Sequence, residues 1–250
     1  MKIILNGKKE AEKLALFLED SEKVLGKSLL IIQADGHIEE SVYVRLKREM
    51  GERLGVLASV VMAKNGLEVA EMVKTANSDE TIDGILVQLP IAGATKEETE
   101  QILCSIKPEK DTDGLNPKSR FVPAAVRAVE RVMEIFKVTS VDSFAVVGSK
   151  GAVGRRLVER LKALGFSVWG YDLGDDLNKL KEHTVIITCT GEASLIKADM
   201  VREGFVGIDL GYPKGDFSPE AMEKADMVTP VPNGVGPLTI ASLFENLAEV

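Results

Sequence analysis

The stretch FAVVGSKGAVGRRLVERL, residues 144–161, decides the fold because it predicts a strand, a glycine turn and a helix in direct succession. Its first four residues are all apolar, which is typical of a strand covered on both faces in a parallel sheet. Gly148 permits a tight turn, Gly154 allows close helix–strand packing, and the first N–H groups of the helix would face a pyrophosphate. The spacing is G-x-x-G-x-x-G, so an ordinary turn without a ligand stays an alternative.

Three further strand ends support a dinucleotide site. The strand after the glycine turn ends at Tyr171-Asp172, near where an acidic residue can meet an adenosine ribose. Gly191 and Gly211 follow two later predicted strands, and ligands bind at such ends in open α/β sheets.

The alternation of strand and helix runs through the rest of the chain. Apolar runs predict strands at 29–33, 56–62, 84–89, 144–148, 166–171, 184–189, 205–210 and 227–231. Helical spacing predicts helices at 39–54, 66–77, 96–106, 122–137, 153–164 and 237–247. Such alternation is typical of an α/β protein with right-handed crossovers.

The segment KPEKDTDGLNPKSRF, residues 107–121, interrupts this rhythm with two prolines, a glycine and many charges. We therefore predict a two-domain α/β protein. Residues 1–121 form an N-terminal α/β substrate domain, joined by a C-terminal helix at 237–250. Residues 122–236 form a linking helix and a Rossmann-like parallel-sheet dinucleotide-binding domain.

Composition excludes several other classes. The 250 residues carry 31 Lys and Arg against 39 Asp and Glu, a net charge of −8, so a broad basic face for nucleic acid is not expected. Cys104 and Cys189 lack metal-ligand spacing, so neither a metal site nor a disulfide framework is expected. No apolar run approaches the roughly 20 residues that span a bilayer. No membrane partner and a cytoplasmic location are expected, since no signal-peptide core is visible.

Two segments of the N-terminal half contain candidate chemistry. Tyr43 and Lys47 stand at i and i+4 of a predicted helix, on one face. The pair precedes the glycine turn, whereas the Tyr-x-x-x-Lys pair of short-chain dehydrogenases follows it, so that family is rejected. A surface helix with a solvated lysine stays an alternative. Gln88 ends a buried strand in DGILVQLP, where an amide needs polar partners or solvent.

Two loops are open to more than one interpretation. Asp111 and Asp113 in PEKDTDGLNP could be simple turn formers. TPVPNGVGPLTIASLFEN, residues 229–246, is either a rigid connection into a helix or a backbone surface that meets a ligand.

In this order and spacing, YVRLK, DGILVQLP, PEKDTDG, VVGSKGAVG and TPVPNGVGPLT resemble the bifunctional methylenetetrahydrofolate dehydrogenase/methenyltetrahydrofolate cyclohydrolase family. The resemblance implies oxidation of 5,10-methylene-tetrahydrofolate to 5,10-methenyl-tetrahydrofolate with NADP, then hydrolysis to 10-formyl-tetrahydrofolate. It also implies a homodimer that serves one-carbon metabolism and purine biosynthesis.

The resemblance also implies site residues. By this resemblance Tyr43 stacks on the folate, Lys47 is the catalytic lysine, and Gln88 orients that lysine. Asp113 binds the pterin ring, because one carboxylate can accept hydrogen bonds from its adjacent N–H groups. A lysine enclosed beside an aromatic ring can have its pKa lowered toward neutrality. Further folate contacts are implied at Leu89, Pro232, Gly234, Val235, Gly236 and Pro237. Cofactor contacts are implied at Gly148, Ser149, Lys150, Val153, Gly154, Asp172, Thr190, Gly191 and Tyr212.

Some positions depart from the family pattern. The usual G-R-S of the dinucleotide loop is Gly148-Ser149-Lys150, so Lys150 would replace the arginine at the 2′-phosphate. Asp172 favours the free ribose hydroxyls of NAD, so NAD is possible. NADP stays the expected cofactor because the resemblance implies it. Asn233 stands where a glycine is usual.

Two other functions compete with this one. A different two-domain dehydrogenase, similar to shikimate dehydrogenase, would share the layout but does not need Gln88. A non-catalytic nucleotide-binding module would bind the cofactor without turnover.

Overall fold

In a computed structural model, which describes residues 2–34, 36 and 40–250, the chain divides into two compact units. One unit contains Glu12–Ala124 and Ile240–Val250, and the other contains the chain up to Ala11 and Ala125–Thr239. His37 and residue 39, the predicted start of a helix, lie outside the described residues. The predicted two-domain α/β fold with a Rossmann-like parallel sheet is confirmed.

The unit that contains the glycine turn is built on six strands, all paired in parallel. The strands are β1 (Ile3–Ile4), β5 (Ser143–Val147), β6 (Ser167–Tyr171), β7 (Val185–Thr188), β8 (Phe205–Asp209) and β9 (Ala225–Val228), in the order β1-β9-β8-β7-β5-β6. Its helices include most of α5 (Ala124–Ile135), α6 (Ala152–Ala163) and α7 (Pro219–Glu223), with short 3-10 turns at Leu177–Glu182 and Ala198–Met200. Since β6 and β7 flank β5 on opposite sides, the strand order reverses there, and open α/β sheets bind ligands at such a point.

The other unit is built on three parallel strands in the order β3-β2-β4. These are β2 (Ser28–Gln33), β3 (Leu57–Met62) and β4 (Gly84–Gln88), with α2 (Val42–Arg53), α3 (Gly66–Ser78), α4 (Lys96–Ser105) and most of α1 (Gly7–Ser21) and α8 (Val235–Ala248). Ile32, Ile85 and Val87 are buried with Val69 and Val73 of α3 in one apolar cluster. None of the described helices is long and apolar enough to cross a membrane.

Most predicted elements are present, and the differences have local causes. The strand predicted at 227–231 is β9, which ends at Val228 because Pro230 and Pro232 cannot donate to a sheet. The two-residue strand β1 was not predicted, since two apolar residues carry no periodic pattern. Ile3 pairs with Met227 in parallel, so the N-terminal segment joins the larger sheet, whereas the predicted division placed it in the substrate domain.

Asn246 of α8 stabilises the loop between α4 and α5. Its amide is fully buried and donates to the backbone oxygens of Thr112 and Val122, each at 2.9 Å. The last turns of α8 therefore hold both ends of the segment that contains Asp113.

Replacing Asn246 by alanine should lower the free energy of unfolding by about 2–3 kcal/mol, because two carbonyl groups lose their donor. Urea denaturation measures the change. Ser242→Ala is the matched control on the same helix, since the buried Ser242 hydroxyl has no hydrogen-bond partner among the described residues. Equal losses in both variants would contradict this role of Asn246.

Candidate functional site

The start of α2 is fixed to the carboxyl edge of the three-stranded sheet. Ser41 is the N-cap, and its hydroxyl accepts from the backbone N–H of Val44. The backbone N–H of Ser41 donates to Oε1 of Gln33 at 2.9 Å, and Gln33, the last residue of β2, is fully buried. The direction of α2, and so the position of Tyr43 and Lys47, is set by a buried amide of the neighbouring strand.

The structure brings Lys47 and Gln88 together. Lys47 Nζ donates to Oε1 of Gln88 at 2.9 Å, and Gln88 Nε2 donates to the backbone oxygen of Leu89 at 2.8 Å. Lys47 is only 6 % exposed, so the alternative of a solvated surface lysine is wrong. Gln88 is half-buried and pairs in register with Gln33, while Tyr43 is half-buried one helical turn before Lys47. The polar ends of two adjacent strands and one helix thus meet at this point.

Asp113 follows a short stretch that runs along β4. The backbone N–H of Ile85 donates to the oxygen of Lys110 at 2.7 Å, and the Thr112 hydroxyl donates to the oxygen of Ile85 at 3.3 Å. Gly114 has φ +71°, and a Cβ there would lie 2.8 Å from the Pro123 backbone, so only glycine fits after Asp113.

Lys47 and Asp113 act on each other electrostatically. Burial lowers the pKa of Lys47, and the charge of Asp113 opposes that shift. Burial likewise raises the pKa of Asp113, and the charge of Lys47 opposes it. Burial therefore favours the neutral form of each group, and the charge of the other group favours the ionised form.

Asp111 has a role that the sequence did not indicate beyond turn formation. It is 1 % exposed, and its carboxylate accepts from the backbone N–H of Asn116 at 2.8 Å and of Gly114 at 3.2 Å. Burial chiefly raises its pKa to about 6, with repulsion from Asp113 adding to the rise. Asp111 shapes the loop that positions Asp113. The sequence of the motif alone does not indicate which of its two aspartates, Asp111 or Asp113, is buried.

The glycine turn of the other unit is a narrow backbone cradle. The N–H groups of Gly148 and Ser149 donate to the oxygen of Tyr171 at 2.9 and 3.1 Å. Gly148 has φ +85°, and a Cβ on Gly154 would lie 2.1 Å from the Gly148 oxygen. The N-cap of α6 is Gly151, which has no side chain to cap the first N–H groups of the helix. These features suit the pyrophosphate of a dinucleotide. Val153, another predicted cofactor residue, lies half-buried in the first turn of α6.

Asp172 supports this cradle. Its Oδ2 accepts from the backbone N–H of Lys150 at 2.7 Å, and its Oδ1 accepts from that of Leu173 at 2.9 Å. Lys150 is exposed at the tip of the turn. The predicted cofactor residues after β5 and β6 are therefore brought together by a carboxylate–backbone bond.

The remaining predicted cofactor residues follow β7 and β8. Thr190 donates through its backbone N–H and its hydroxyl to Oδ2 of Asp216, both at 2.8 Å. Gly191 has φ +72°, and Tyr212 is 44 % exposed. Among the described residues, no group of three or more His, Cys, Asp or Glu could hold a metal ion.

The segment predicted to meet folate near the C-terminus leads into α8. Its members are Pro232, which is exposed, Gly234 and Val235, which are buried, and Gly236 and Pro237, which are half-buried in the first turn of α8. They belong to the unit with the glycine turn, and their contact with folate stays a prediction. Asn233 has φ +76°, so the residue that replaces the usual glycine is of a type that tolerates this conformation.

Comparison with known proteins finds a match for each half of the chain. Residues 5–113 match the family model for the tetrahydrofolate dehydrogenase/cyclohydrolase catalytic domain, and residues 123–250 match that for its NAD(P)-binding domain. The chain belongs to the tetrahydrofolate dehydrogenase/cyclohydrolase family. The family's two activities are therefore those of this dehydrogenase/cyclohydrolase, with NAD(P) as cofactor.

Individual relatives cover nearly the whole dehydrogenase/cyclohydrolase. Bifunctional protein FolD of Staphylococcus aureus is 32 % identical over 97 % of this chain and 94 % of its own. The bifunctional FolD structure from Campylobacter jejuni has a TM-score of 0.86 at 28 % identity, covering 100 % of this chain and 98 % of that one. The Trypanosoma brucei FolD structure, described as complexed with NADP and an inhibitor, has a TM-score of 0.87 at 23 % identity and covers 98 % and 96 %.

The competing shikimate-dehydrogenase interpretation shares only the fold with this dehydrogenase/cyclohydrolase. The shikimate dehydrogenase of Thermus thermophilus has a TM-score of 0.62 at 16 % identity, covering 90 % of this chain and 94 % of that one.

Gly154→Ala should abolish dinucleotide binding, because the added Cβ meets the Gly148 oxygen and displaces the turn. Gly151→Ala is the matched control, since a Cβ there lies 3.3 Å from the same oxygen and φ is −71°. Titration of each variant with NADPH, followed by its fluorescence, measures the difference. Equal affinity in the two variants would show that the cradle is not the dinucleotide site.

Proposed function

We propose that Lys47 accepts the proton of the attacking water in a reaction sequence that converts 5,10-methylene-tetrahydrofolate to 10-formyl-tetrahydrofolate. When bound, the dinucleotide supplies the acceptor for the hydride that leaves the one-carbon bridge. The methenyl cation that remains is then hydrolysed. Gly148, Ser149 and Lys150 would hold the phosphates, and Asp172, Thr190 and Gly191 the riboses, at the strand ends where ligands bind.

The hydrolysis needs a base beside the methenyl carbon. Water adds its oxygen to that carbon while the Lys47 amine takes up the water proton. The carbon–N5 bond then breaks as N5 is protonated and the hydroxyl proton is lost, which leaves a formyl group on N10. One proton is released overall, because a cation becomes a neutral product. Burial favours the neutral amine that this step requires.

The hydrogen bond from Lys47 Nζ to Gln88 Oε1 carries this proposal. Since Gln88 is anchored by its own amide to Leu89, the lysine is held in one orientation. Asp113 would accept the adjacent N–H groups of the pterin, and Tyr43 would stack on its ring. The arrangement needs one lysine, an amide and a carboxylate, and no histidine.

One absorbance experiment tests the proposed function. The enzyme is given methylene-tetrahydrofolate with NADP or with NAD, then methenyl-tetrahydrofolate alone, and shikimate in parallel. Reduction of the dinucleotide and loss of methenyl absorbance are expected. Turnover of shikimate alone would support the competing dehydrogenase. Binding of the dinucleotide without any turnover would support the non-catalytic nucleotide-binding module.

Lys47→Met should abolish methenyl hydrolysis while part of the folate affinity survives. The neighbouring variant Arg45→Met is the control, because Arg45 is an exposed cation on the same helix. Stopped-flow absorbance gives the hydrolysis rate and inhibitor titration the affinity. Wild-type hydrolysis by Lys47→Met would refute the assignment.

The pH profile provides a second test. If Lys47 acts as the neutral amine, the hydrolysis rate rises with pH through the lowered pKa of Lys47. Asp113→Asn removes the charge that raises this pKa, so the inflection of kcat should move to lower pH, with a higher KM for folate. An inflection that stays in place or moves upward would contradict the Lys47–Asp113 interaction.

We propose NADP as the preferred dinucleotide, supported by the family pattern and by the exposed ammonium group of Lys150. The Asp172 carboxylate opposes a 2′-phosphate, so Asp172→Ser should raise the ratio of kcat/KM for NADP over NAD by about tenfold. Lys150→Met should lower the same ratio. A wild-type enzyme that uses NAD better than NADP would overturn the preference.

We also propose that the enzyme is a cytoplasmic homodimer. The resemblance supports the dimer, and the exposed edge strands β1 and β6, with Ile4 61 % and Trp169 50 % exposed, offer apolar surface for a second copy. Sedimentation at micromolar concentration should give twice the monomer mass, and a monomer would contradict the proposal.

A further inference from the structure

Two buried carboxyl groups lie at the carboxyl edge of the six-stranded sheet, outside the chemistry proposed above. Asp209 ends β8 and is 2 % exposed, and Asp216, in the loop that follows, is fully buried. Burial raises the pKa of both groups. Buried carboxyl groups are costly unless their oxygens accept hydrogen bonds, so their donors show what they organise.

Asp216 organises the turn after β7. Its Oδ2 accepts both the backbone N–H and the hydroxyl of Thr190, the residue directly before Gly191, each at 2.8 Å. The backbone of Asp216 adds a further link, since its oxygen accepts from the N–H of Ile196 at 2.9 Å. A residue 26 positions later in the chain therefore fixes the conformation of Thr190.

Asp209 organises the turn after β8 in the same way. Its Oδ1 accepts from the N–H of Gly211 at 2.8 Å, and its Oδ2 from that of Phe217 at 3.2 Å. A Cβ on Gly211 would lie 2.5 Å from Asp216 Oδ1 and 2.9 Å from Asp209 Oδ1. The two carboxyl groups thus approach the same point, and only glycine fits between them.

The position of this pair relates it to one half of the cofactor. β6 and β7 lie on opposite sides of β5, whose following turn would hold the pyrophosphate. A dinucleotide with its adenosine at the end of β6 must extend its nicotinamide ribose toward the end of β7, where Thr190 and Gly191 lie. The turn after β7 can bind the nicotinamide half in one orientation only if its backbone is held rigidly.

We infer that Asp216 is the positioning residue for the nicotinamide half of the dinucleotide, acting through Thr190 and Gly191. The inference rests on the proposed function. Its action depends on an acceptor oxygen at this point rather than on a negative charge. An asparagine can keep that oxygen toward Thr190 and turn its NH₂ group toward Asp209, whereas an alanine leaves the Thr190 donors without their acceptor.

The test compares Asp216→Ala with Asp216→Asn in the full-length enzyme. Asp216→Ala should raise the Kd and the KM for NADP about tenfold and leave methenyl hydrolysis without dinucleotide within about twofold. Hydrogen exchange of the peptide that contains Thr190 and Gly191 should quicken in the free protein. Asp216→Asn should resemble the wild type in all of these measurements.

Unchanged NADP affinity and exchange in Asp216→Ala would overturn the inference, as would equal losses of both activities or failure of Asp216→Asn to rescue. If Asp216→Ala does not fold, Asp216→Ser, which is polar but too short to reach Thr190, is measured instead with the same expectations. Dinucleotide binding and hydrogen exchange need no turnover. A wild type that turns over no folate would refute the proposed function and leave this test in force.

Discussion

Parallel strand pairing is the constraint on which both units depend. Every strand of a parallel sheet delivers its following loop to the same edge, so polar residues placed at strand ends gather without any local sequence signal between them. In the smaller sheet this rule brings Gln33 and Gln88 side by side. The N-cap residue of α2 donates to the Gln33 side chain, and Lys47 of the same helix donates to the Gln88 side chain. In the larger sheet it places Gly148 beside Cys189, the residues that directly follow the adjacent strands β5 and β7.

The buried lysine illustrates how cost and function are related. Removing an ammonium group from water is unfavourable, and the amide of Gln88 and the charge of Asp113 offset only part of that cost. The remainder favours a neutral amine, which is the form that can accept a proton.

The net charge of −8 opposes the binding of anionic folates and dinucleotides, so their recruitment depends on local groups such as Lys47 and Lys150.

The sequence was informative where the pattern is local. Long apolar runs predicted the central strands closely, and the glycine spacing located the cradle at Gly148 and Gly154. The enclosure of Lys47 could not be predicted from spacing alone, because a Tyr-x-x-x-Lys pair on a helix looks like a solvated surface. Only the resemblance indicated its role. Asp111 and Asp216 were missed as organising residues, since their hydrogen-bond donors lie in loops whose approach depends on the tertiary fold.

The chain enters and leaves each unit more than once. α1, α5 and α8 each contain the boundary between the units, at Ala11, Ala124 and Thr239. A gene fragment that encodes residues 1–124 would therefore lack α8, and with it the Asn246 amide that holds the Asp113 segment. A single recombination event near residue 124 would likewise build each unit from segments of two different parents. Because each unit takes segments from both ends of the chain, we expect the two units to need one continuous polypeptide.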